Sequence, residues 1–490
     1  MKQDNRSTLY AVFVFFLALG IRLYHLGSQS LWIDEGFSLR DIHGLDLLSE
    51  TRPMYFLLMR GWMALGVPHT EFFMRLPAAI LGASSVWILF ILGRKLIGDR
   101  PAVLASLFLA VSVLQVNHSR EIRMYTLVVF TVLLSTYFLM LALERRKIGY
   151  AIGYTASMLA GLLTSALVVL IMLAHGIFLL LYFKSRRPMS TLLIGVQLLI
   201  FGAWFPWLRN NMQASQGYAD GYTSIIERPT LRGLIEFFGK FFIWKWSYPG
   251  KLLVIASILF SVAILVLAIK SLKNYRKGDA GLTLTWLWLV VPLAGMIAAS
   301  YTIANMWMIH YLIDVSPAVF LLVSKGIFSL NKRFAIFAAA SFVLFVTLGR
   351  LAIYMKTPTH PQWRSAVSYV ESHEHPGDVT GIYYGGNEYV FRYYYHGKAK
   401  WSPLGDDELN RIRYGKWNDK MASKLINTSP YTGKRFWLVM SNHEYGGGPV
   451  IVDYISKHYR MLDHKYYSQM EMVLFDQPGS MVPNDRQSSH

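Results

Sequence analysis

Asp34 and Glu35 are adjacent carboxylates in a polar loop that begins soon after the first long apolar block of the chain. A carboxylate held close to a bilayer is partly desolvated, which raises its pKa and suits it to work as a general base. Asp is also a good helix N-cap, so a solvated or capping role for the pair stays open. A second concentration of polar groups is Asn117-His118-Ser119-Arg120-Glu121-Ile122-Arg123-Met124-Tyr125, between two apolar blocks. It reads either as a site facing the first loop or as a charge-paired loop, Glu121 with Arg123 or Arg120, that ends two helices. A third set is cationic: Arg52 and Arg60 in the first loop, Arg75 at the head of the second block, and His310-Tyr311 before a late one. Arginines at this depth suit a phosphate through bidentate bonding, although headgroup contact or snorkelling is the commoner role of any single one.

Other chemistry is excluded by composition and motif. There is no cysteine, hence no disulfide, no thiolate catalysis and no Cys-ligated zinc or iron–sulfur site. The chain contains no P-loop, GxGxxG, HExxH or GxSxG, which removes support for ATP-driven transport, dinucleotide chemistry and zincin or serine hydrolase chemistry. His175, inside an apolar block, reads as a hydrogen-bonded packing residue.

The elements that must carry these residues are mostly membrane helices. Of 490 residues, 54% are hydrophobic and only 16% charged, with a mean hydropathy of +0.34. From Leu9 to Tyr354 the apolar residues fall in blocks of roughly 17 to 21, the length that crosses ~30 Å of hydrocarbon. The candidate spans are Leu9–Leu23, Phe72–Leu92, Pro101–Val116, Met124–Leu143, Gly149–Thr164, Ala166–Phe183, Thr191–Trp207, Leu252–Ile269, Gly281–Ala299, Met306–Val323 and Phe334–Tyr354. The fold class is therefore mainly α: a polytopic membrane protein with about 11 transmembrane helices.

Every second connection carries basic residues: Lys2 and Arg6; Arg94, Lys95 and Arg100; Arg145, Arg146 and Lys147; Lys184, Arg186 and Arg187; Lys270, Lys273, Arg276 and Lys277; Lys325, Lys332 and Arg333. The positive-inside rule puts these connections and the N-terminus in the cytoplasm, and an odd number of spans puts the C-terminal part outside. The net charge of +19 then reads as topology and lipid-headgroup contact; no nucleic-acid partner is expected. The first span lacks a small-residue cleavage site and is expected to stay as an anchor. In the first outer loop, 25–71, Pro53–Leu65 is amphipathic enough to lie along the interface. Arg209–Lys251 mixes Trp244, Trp246 and Tyr248 with Arg228, Arg232, Lys240 and Lys245, as at an anionic-lipid surface.

The division is 1–354 for the membrane domain, 355–477 for a small extracytoplasmic α/β domain, and 478–490 for a disordered tail. In the α/β part the pattern predicts helices over Trp363–His373, Asn387–Tyr395 and Val450–Tyr459. Strands are expected over Val379–Tyr384 and Phe436–Ser441, with a strand pair or long edge strand over Tyr466–Phe475.

Several of these segments, in order, resemble the bacterial polyprenyl-phosphate-sugar-dependent glycosyltransferases of the GT-C membrane fold, relatives of protein O-mannosyltransferases and of the lipid A aminoarabinose transferase. Leu31-Trp32-Ile33-Asp34-Glu35 resembles the family's first-loop Asp-Glu motif. Pro53-Met54-Tyr55-Phe56-Leu57-Leu58 is similar to its Pro-Pro-Leu-Tyr-Tyr segment, and Arg75-Leu76-Pro77 with Leu92-Gly93-Arg94 to its second span and inner loop. Ser119-Arg120-Glu121-Ile122-Arg123-Met124-Tyr125 resembles the Glu-Ala-Arg-Met-Tyr signature. His310-Tyr311-Leu312 with Pro317 is similar to an Arg-Tyr-Leu-x-x-x-x-Pro segment, and Trp363-Arg364-Ser365-Ala366 through Pro376-Gly377-Asp378 to the opening of the family's outer domain. Two departures stand out. Thr51-Arg52-Pro53 replaces the usual His-Pro-Pro, and His310 replaces an Arg.

The resemblance implies a cell-membrane glycosyltransferase that moves a sugar from a polyprenyl-phosphate donor to an acceptor hydroxyl on a protein, lipid or polysaccharide at the outer face, with inversion. It implies Asp34 as base, with Glu35 orienting Asp34 or the acceptor. The substrate-binding residues it implies are Arg52, Tyr55, Arg75, His118, Glu121, Arg123, Tyr125, His310 and Tyr311. The acidic pair with His118 has donor types for a divalent metal, but closely related enzymes need none, and no cofactor is expected. A lipid or solute transporter or flippase is the competing class; visible repeats and mid-membrane ionisable residues would favour it, and the conspicuous acids lie in loops instead.

Overall fold

The computed structural model of the protein describes residues 5–44, 50, 52–183, 187–223, 226–244, 250–276, 278–383, 386–404, 419–427, 435–441 and 448–476. Lys2, Lys184, Arg186, Lys245, Trp246, Tyr248, Lys277 and the tail expected to be disordered, 478–490, lie outside the described residues. The chain divides into two compact units, Met1–Leu26 with Gly44–Thr357, and Gly27–His43 with Pro358–His490.

The first unit is helical. Eight described helices are long and apolar enough to cross a membrane: Arg6–Leu23, Glu71–Ile97, Tyr125–Arg145, Arg187–Asn210, Lys251–Lys273, Ala280–Thr302, Ile309–Phe328 and Arg333–Lys356. The apolar helices Ile148–Leu162 and Val168–Leu181 and the helix Asp99–Val111 occupy the other three expected spans, but each is shorter than a full crossing. Helix Ile309–Phe328 is mostly buried in the protein, whereas Arg333–Lys356 exposes most of its apolar surface, as a lipid-facing helix must. Tight crossings depend on small residues. A Cβ on Gly326 would collide with the Leu267 carbonyl, and one on Gly281 with the Leu96 carbonyl. His175 is fully buried and shares a hydrogen bond with Thr136 Oγ1 at 3.2 Å.

Two short amphipathic helices complete this unit. Pro53–Met63 starts with proline at its first turn, is joined to Leu163 by the Met54 N–H (3.2 Å), and has its Trp62 indole N–H on the Phe73 carbonyl (2.9 Å). Leu231–Ile243 begins at Thr230, whose hydroxyl accepts the Gly233 N–H at 3.0 Å. It buries Phe237, Phe238, Phe241 and Phe242 and leaves Arg232 exposed.

The second unit is a five-stranded mixed sheet with flanking helices. Its strands are β1 (Val379–Tyr383), β2 (Lys400–Pro403), β3 (Phe436–Ser441), β4 (Met461–Tyr467) and β5 (Met470–Phe475), in the order β2-β1-β3-β5-β4. β1 is parallel to β2 and β3; β5 is antiparallel to β3 and β4. β1, β3 and β5 are buried along their whole length, the pattern of central strands covered on both faces. Helix Gly448–His458 adds Ile451 and Ile455 to the core that holds Phe436, Leu438 and Phe475. Helix Trp363–His373 matches its expected bounds, and Asn387–Tyr394 and Gly448–His458 come within two residues of theirs. β2, the helix Asp419–Asn427 and the part of β4 before Tyr466 were not expected, so the strand pair starts five residues ahead of its expected bound. β2 is a four-residue edge strand that ends in Pro403, too short to leave a period-2 signal.

Gly326→Ala is expected to lower the thermal unfolding midpoint of the detergent-solubilised protein, at a cost of about 1–3 kcal/mol for forcing two helix backbones apart. Gly349→Ala, on a helix position with no atom within 4 Å of the new Cβ, should leave the midpoint unchanged or slightly raised.

Candidate active site

The polar segment after helix Asp99–Val111 is built by a break. Ser112 is extended (φ −55, ψ 121), its hydroxyl donates to the Phe241 carbonyl at 2.5 Å and accepts the Gln115 N–H at 3.3 Å, and a new short helix runs Val113–His118. The chain then turns through Ser119–Met124 before helix Tyr125–Arg145 starts. Although this segment is rich in polar residues, 112–122 are all buried. Buried polar groups need partners, and most of these find them among the described residues; Asn117 Oδ1 and His118 Nε2 do not.

Arg120 is 7% exposed and closes the C-terminal end of the first helix. Its Nη1 donates to the carbonyls of Tyr24 (2.6 Å) and Ile21 (3.3 Å), and its Nη2 to that of His25 (3.1 Å). Burial pulls this guanidinium below its usual pKa and the charge of Arg75 acts in the same direction, while Tyr354 opposes them. Arg22, fully buried, donates to the carbonyls of Ala110 (3.1 Å) and Leu109 (3.3 Å), the end of the helix that breaks at Ser112. Arg75 is 1% exposed, and its Nη1 reaches the Leu26 carbonyl at 3.1 Å. These guanidiniums satisfy the carbonyls that a helix end leaves over.

With the segment fixed in this way, Glu121 is held at both oxygens. Asn117 Nδ2 donates to Oε1 at 2.8 Å, and His118 Nδ1 lies 3.0 Å from Oε2. Around the His118 ring stand Tyr125, Trp244 and His310, with centroids at 4.5, 6.1 and 6.1 Å. Tyr311 follows at 4.6 Å from His310, and the Arg123 guanidinium sits 5.7 Å from the Tyr125 centroid. So Glu121, His118, Tyr125, Arg123, His310 and Tyr311, taken from distant parts of the sequence, form one constellation. The ring of Trp244, seen in the sequence only as an interfacial aromatic, belongs to it. Arg52 precedes helix Pro53–Met63, 3.7 Å from Glu50 and over the Phe56 ring at 5.7 Å; Tyr55 is buried on that helix.

In the second unit, Asp34 and Glu35 open the helix Ile33–His43. Glu35 is fully buried, and its Oε2 accepts the Trp32 N–H at 3.3 Å, the carboxylate half of a capping box. The same oxygen is 3.9 Å from His360 Nδ1, whose closer partner is the Ser30 carbonyl at 3.1 Å; Trp32 stacks on the His360 ring at 5.7 Å. Gln29 Oε1 accepts from Thr359 N, Thr359 Oγ1 and His360 N at 3.0–3.1 Å, and Ser30 Oγ accepts the Arg364 N–H. Gly36 lies so close to the helix Asn387–Tyr394 that a Cβ would come within 2.7 Å of Val390. Asp34 is half-buried, and its backbone carbonyl accepts from Ser38. The acidic pair is therefore split in role: Glu35 builds the turn, and Asp34 is carried on it. His360, which sequence reasoning missed, is signalled only by a His-Pro pair ahead of a helix. Among the described residues, no group of three or more His, Asp or Glu is arranged to hold a metal ion.

Comparison with known proteins bears on this scaffold. The dolichyl-phosphate-mannose-protein mannosyltransferase family matches residues 50–207. ArnT from Cupriavidus metallidurans bound to undecaprenyl phosphate aligns with 95% of this chain and 98% of its own, at 14% identity and a TM-score of 0.61. The chain has the GT-C glycosyltransferase fold. The oligosaccharyltransferase of Archaeoglobus fulgidus in the apo form is also similar, with 98% of this chain and 75% of that one covered, 11% identity and a TM-score of 0.56. None of the curated proteins compared matches the chain. The GT-C scaffold gathers the Glu121 constellation in a multi-span membrane unit and carries the Asp34 helix beside a mixed α/β sheet.

Arg120→Met should destabilise the protein by about 2–4 kcal/mol in a thermal or denaturant titration, since it leaves several helix-end carbonyls unbonded. Arg120→Lys, which keeps the charge but loses the fork, should recover less than half of that.

Proposed function

We propose that the protein is an integral membrane glycosyltransferase that moves a sugar from a polyprenyl-phosphate donor to an acceptor hydroxyl on the outer face of the membrane, with inversion. The observation that carries this reading is the likeness, over nearly the whole chain, to a structure bound to undecaprenyl phosphate, in a fold whose ionisable residues here are concentrated at helix ends and loops. Polyprenyl phosphate keeps its tail in hydrocarbon, so its transferase needs many spans; eight long apolar helices meet that need.

In this reading Asp34 takes the proton of the acceptor hydroxyl as the acceptor oxygen attacks the anomeric carbon, and the bond from that carbon to the phosphate oxygen breaks. Glu35 is a positioning residue, because its carboxylate closes the turn that carries Asp34. Arg123 and Arg52, both half-buried rather than sealed, are the cations for the phosphate. Arg120 supports the scaffold instead, since its Nη1 and Nη2 bond backbone carbonyls, and Arg75 joins it there through the Leu26 carbonyl. Tyr55, Tyr125, His310 and Tyr311 line the donor's path. The phosphate leaves as an anion stabilised by cations, so no strong general acid is required. No metal is assigned to the reaction, and the α/β sheet contributes to choice of acceptor.

Asp34→Asn should reduce sugar transfer by about 100- to 10,000-fold, the usual worth of a general base, without changing the unfolding midpoint. Transfer rate per folded protein, measured beside donor binding, checks this. Undiminished transfer by the variant would remove Asp34 from the role.

A further inference from the structure

Within the Glu121 constellation, the second ring nitrogen of His118 stands apart. Glu121 Oε2 takes the Nδ1 side of the His118 ring at 3.0 Å, which leaves the ring's other nitrogen, Nε2, for a second hydrogen bond. That Nε2 is buried and has no hydrogen-bond partner among the described residues, on a residue only 5% exposed. Asn117 Oδ1, on the preceding residue and the same carboxylate, is a second buried polar atom without a partner among them. Native interiors rarely leave such atoms unpaired unless a ligand or ordered water completes them.

The surroundings point to the class of ligand. Tyr125, His310 and Trp244 present rings around His118, an apolar wall beside a polar acceptor. Trp244 is held at φ 54 and ψ −116, a backbone conformation that bulky residues avoid, and its ring also meets Tyr354 at 6.2 Å. Strain of this kind persists where the surroundings over-determine a position, and it clusters at ligand sites. A molecule with hydroxyl donors at its edge and C–H groups on its face matches both features. That is the chemistry of a sugar ring.

We propose that His118 reads the donor's sugar: Nε2 accepts a hydrogen bond from one sugar hydroxyl, while Tyr125, His310 and Trp244 pack against the C–H face. Glu121 is a positioning residue that sets the tautomer. The inference rests on the transferase reading and adds to it the group that tells a glycosylated lipid from a bare one.

The test uses the full-length protein in lipid nanodiscs, with equilibrium binding of undecaprenyl phosphate and of undecaprenyl phosphate carrying mannose, glucose or arabinose. The wild type should bind at least one glycosylated lipid more tightly than the bare lipid. His118→Leu should lose about tenfold of that affinity while its affinity for the bare lipid stays within about twofold. His118→Gln, whose amide oxygen still accepts, should recover part of the loss, and its melting curve guards against misfolding. Equal weakening of bare and glycosylated lipids, no change in either, or no sugar preference in the wild type would each overturn the proposal. If the bare lipid still binds, the transferase reading survives that failure; if the wild type binds neither lipid, both fall together.

Discussion

A helix that ends inside an apolar protein leaves carbonyl groups with no water to meet them, and this constraint organises the first unit. The first helix ends at Leu23, and Arg120 takes the carbonyls of Ile21, Tyr24 and His25. The helix Asp99–Val111 ends a residue short of Ser112, and Arg22 takes those of Leu109 and Ala110. Arg22, on the first helix, thus closes the end of Asp99–Val111, and Arg120, in the turn that follows Val113–His118, closes the end of the first helix. Burying a guanidinium is costly, and the bonds to these carbonyls offset part of that cost, although Arg22 Nε is buried without a partner among the described residues. Once both ends are closed, the intervening turn has little freedom left, and Asn117, His118 and Glu121 are set against one another at hydrogen-bond distance.

The second unit solves a related problem with a carboxylate in place of a guanidinium. Helix Ile33–His43 opens with a buried Glu35 on the Trp32 N–H, and the approach to it is fastened by Gln29 and Ser30 to the chain at Thr359, His360 and Arg364. For the base proposed above, a half-buried position on a capped helix holds the carboxylate more closely than a free loop would. Precision in a reacting group depends on the groups that hold it.

Much of this was legible in the sequence because hydropathy is a direct consequence of the medium. Each of the eleven apolar blocks contains helix, eight of them in helices long and apolar enough to cross a membrane, and the polar segments Trp32–Glu35 and Asn117–Tyr125 fall at helix boundaries. The rest depended on distant partners. The hydroxyl of Ser112 caps the local Gln115 N–H, but its other partner, the Phe241 carbonyl, is 129 residues away and out of reach of pattern reading. Nothing local shows that Arg75 reaches the Leu26 carbonyl, or that Arg120 takes the carbonyls of Ile21, Tyr24 and His25. The grouping of Gly27–His43 with Pro358–His490 joins segments over 300 residues apart, and pattern reading has no access to contacts of that range.

The measurement that bears most directly on the proposed activity is turnover by the unmodified protein. Purified in nanodiscs, it would be given undecaprenyl-phosphate sugars together with a membrane and envelope extract as acceptor, and the appearance of free undecaprenyl phosphate would be followed. Acceptor-dependent release of the free lipid phosphate from one donor is the expected result. Failure to consume any donor under every acceptor condition, with the protein folded, would contradict the transferase reading.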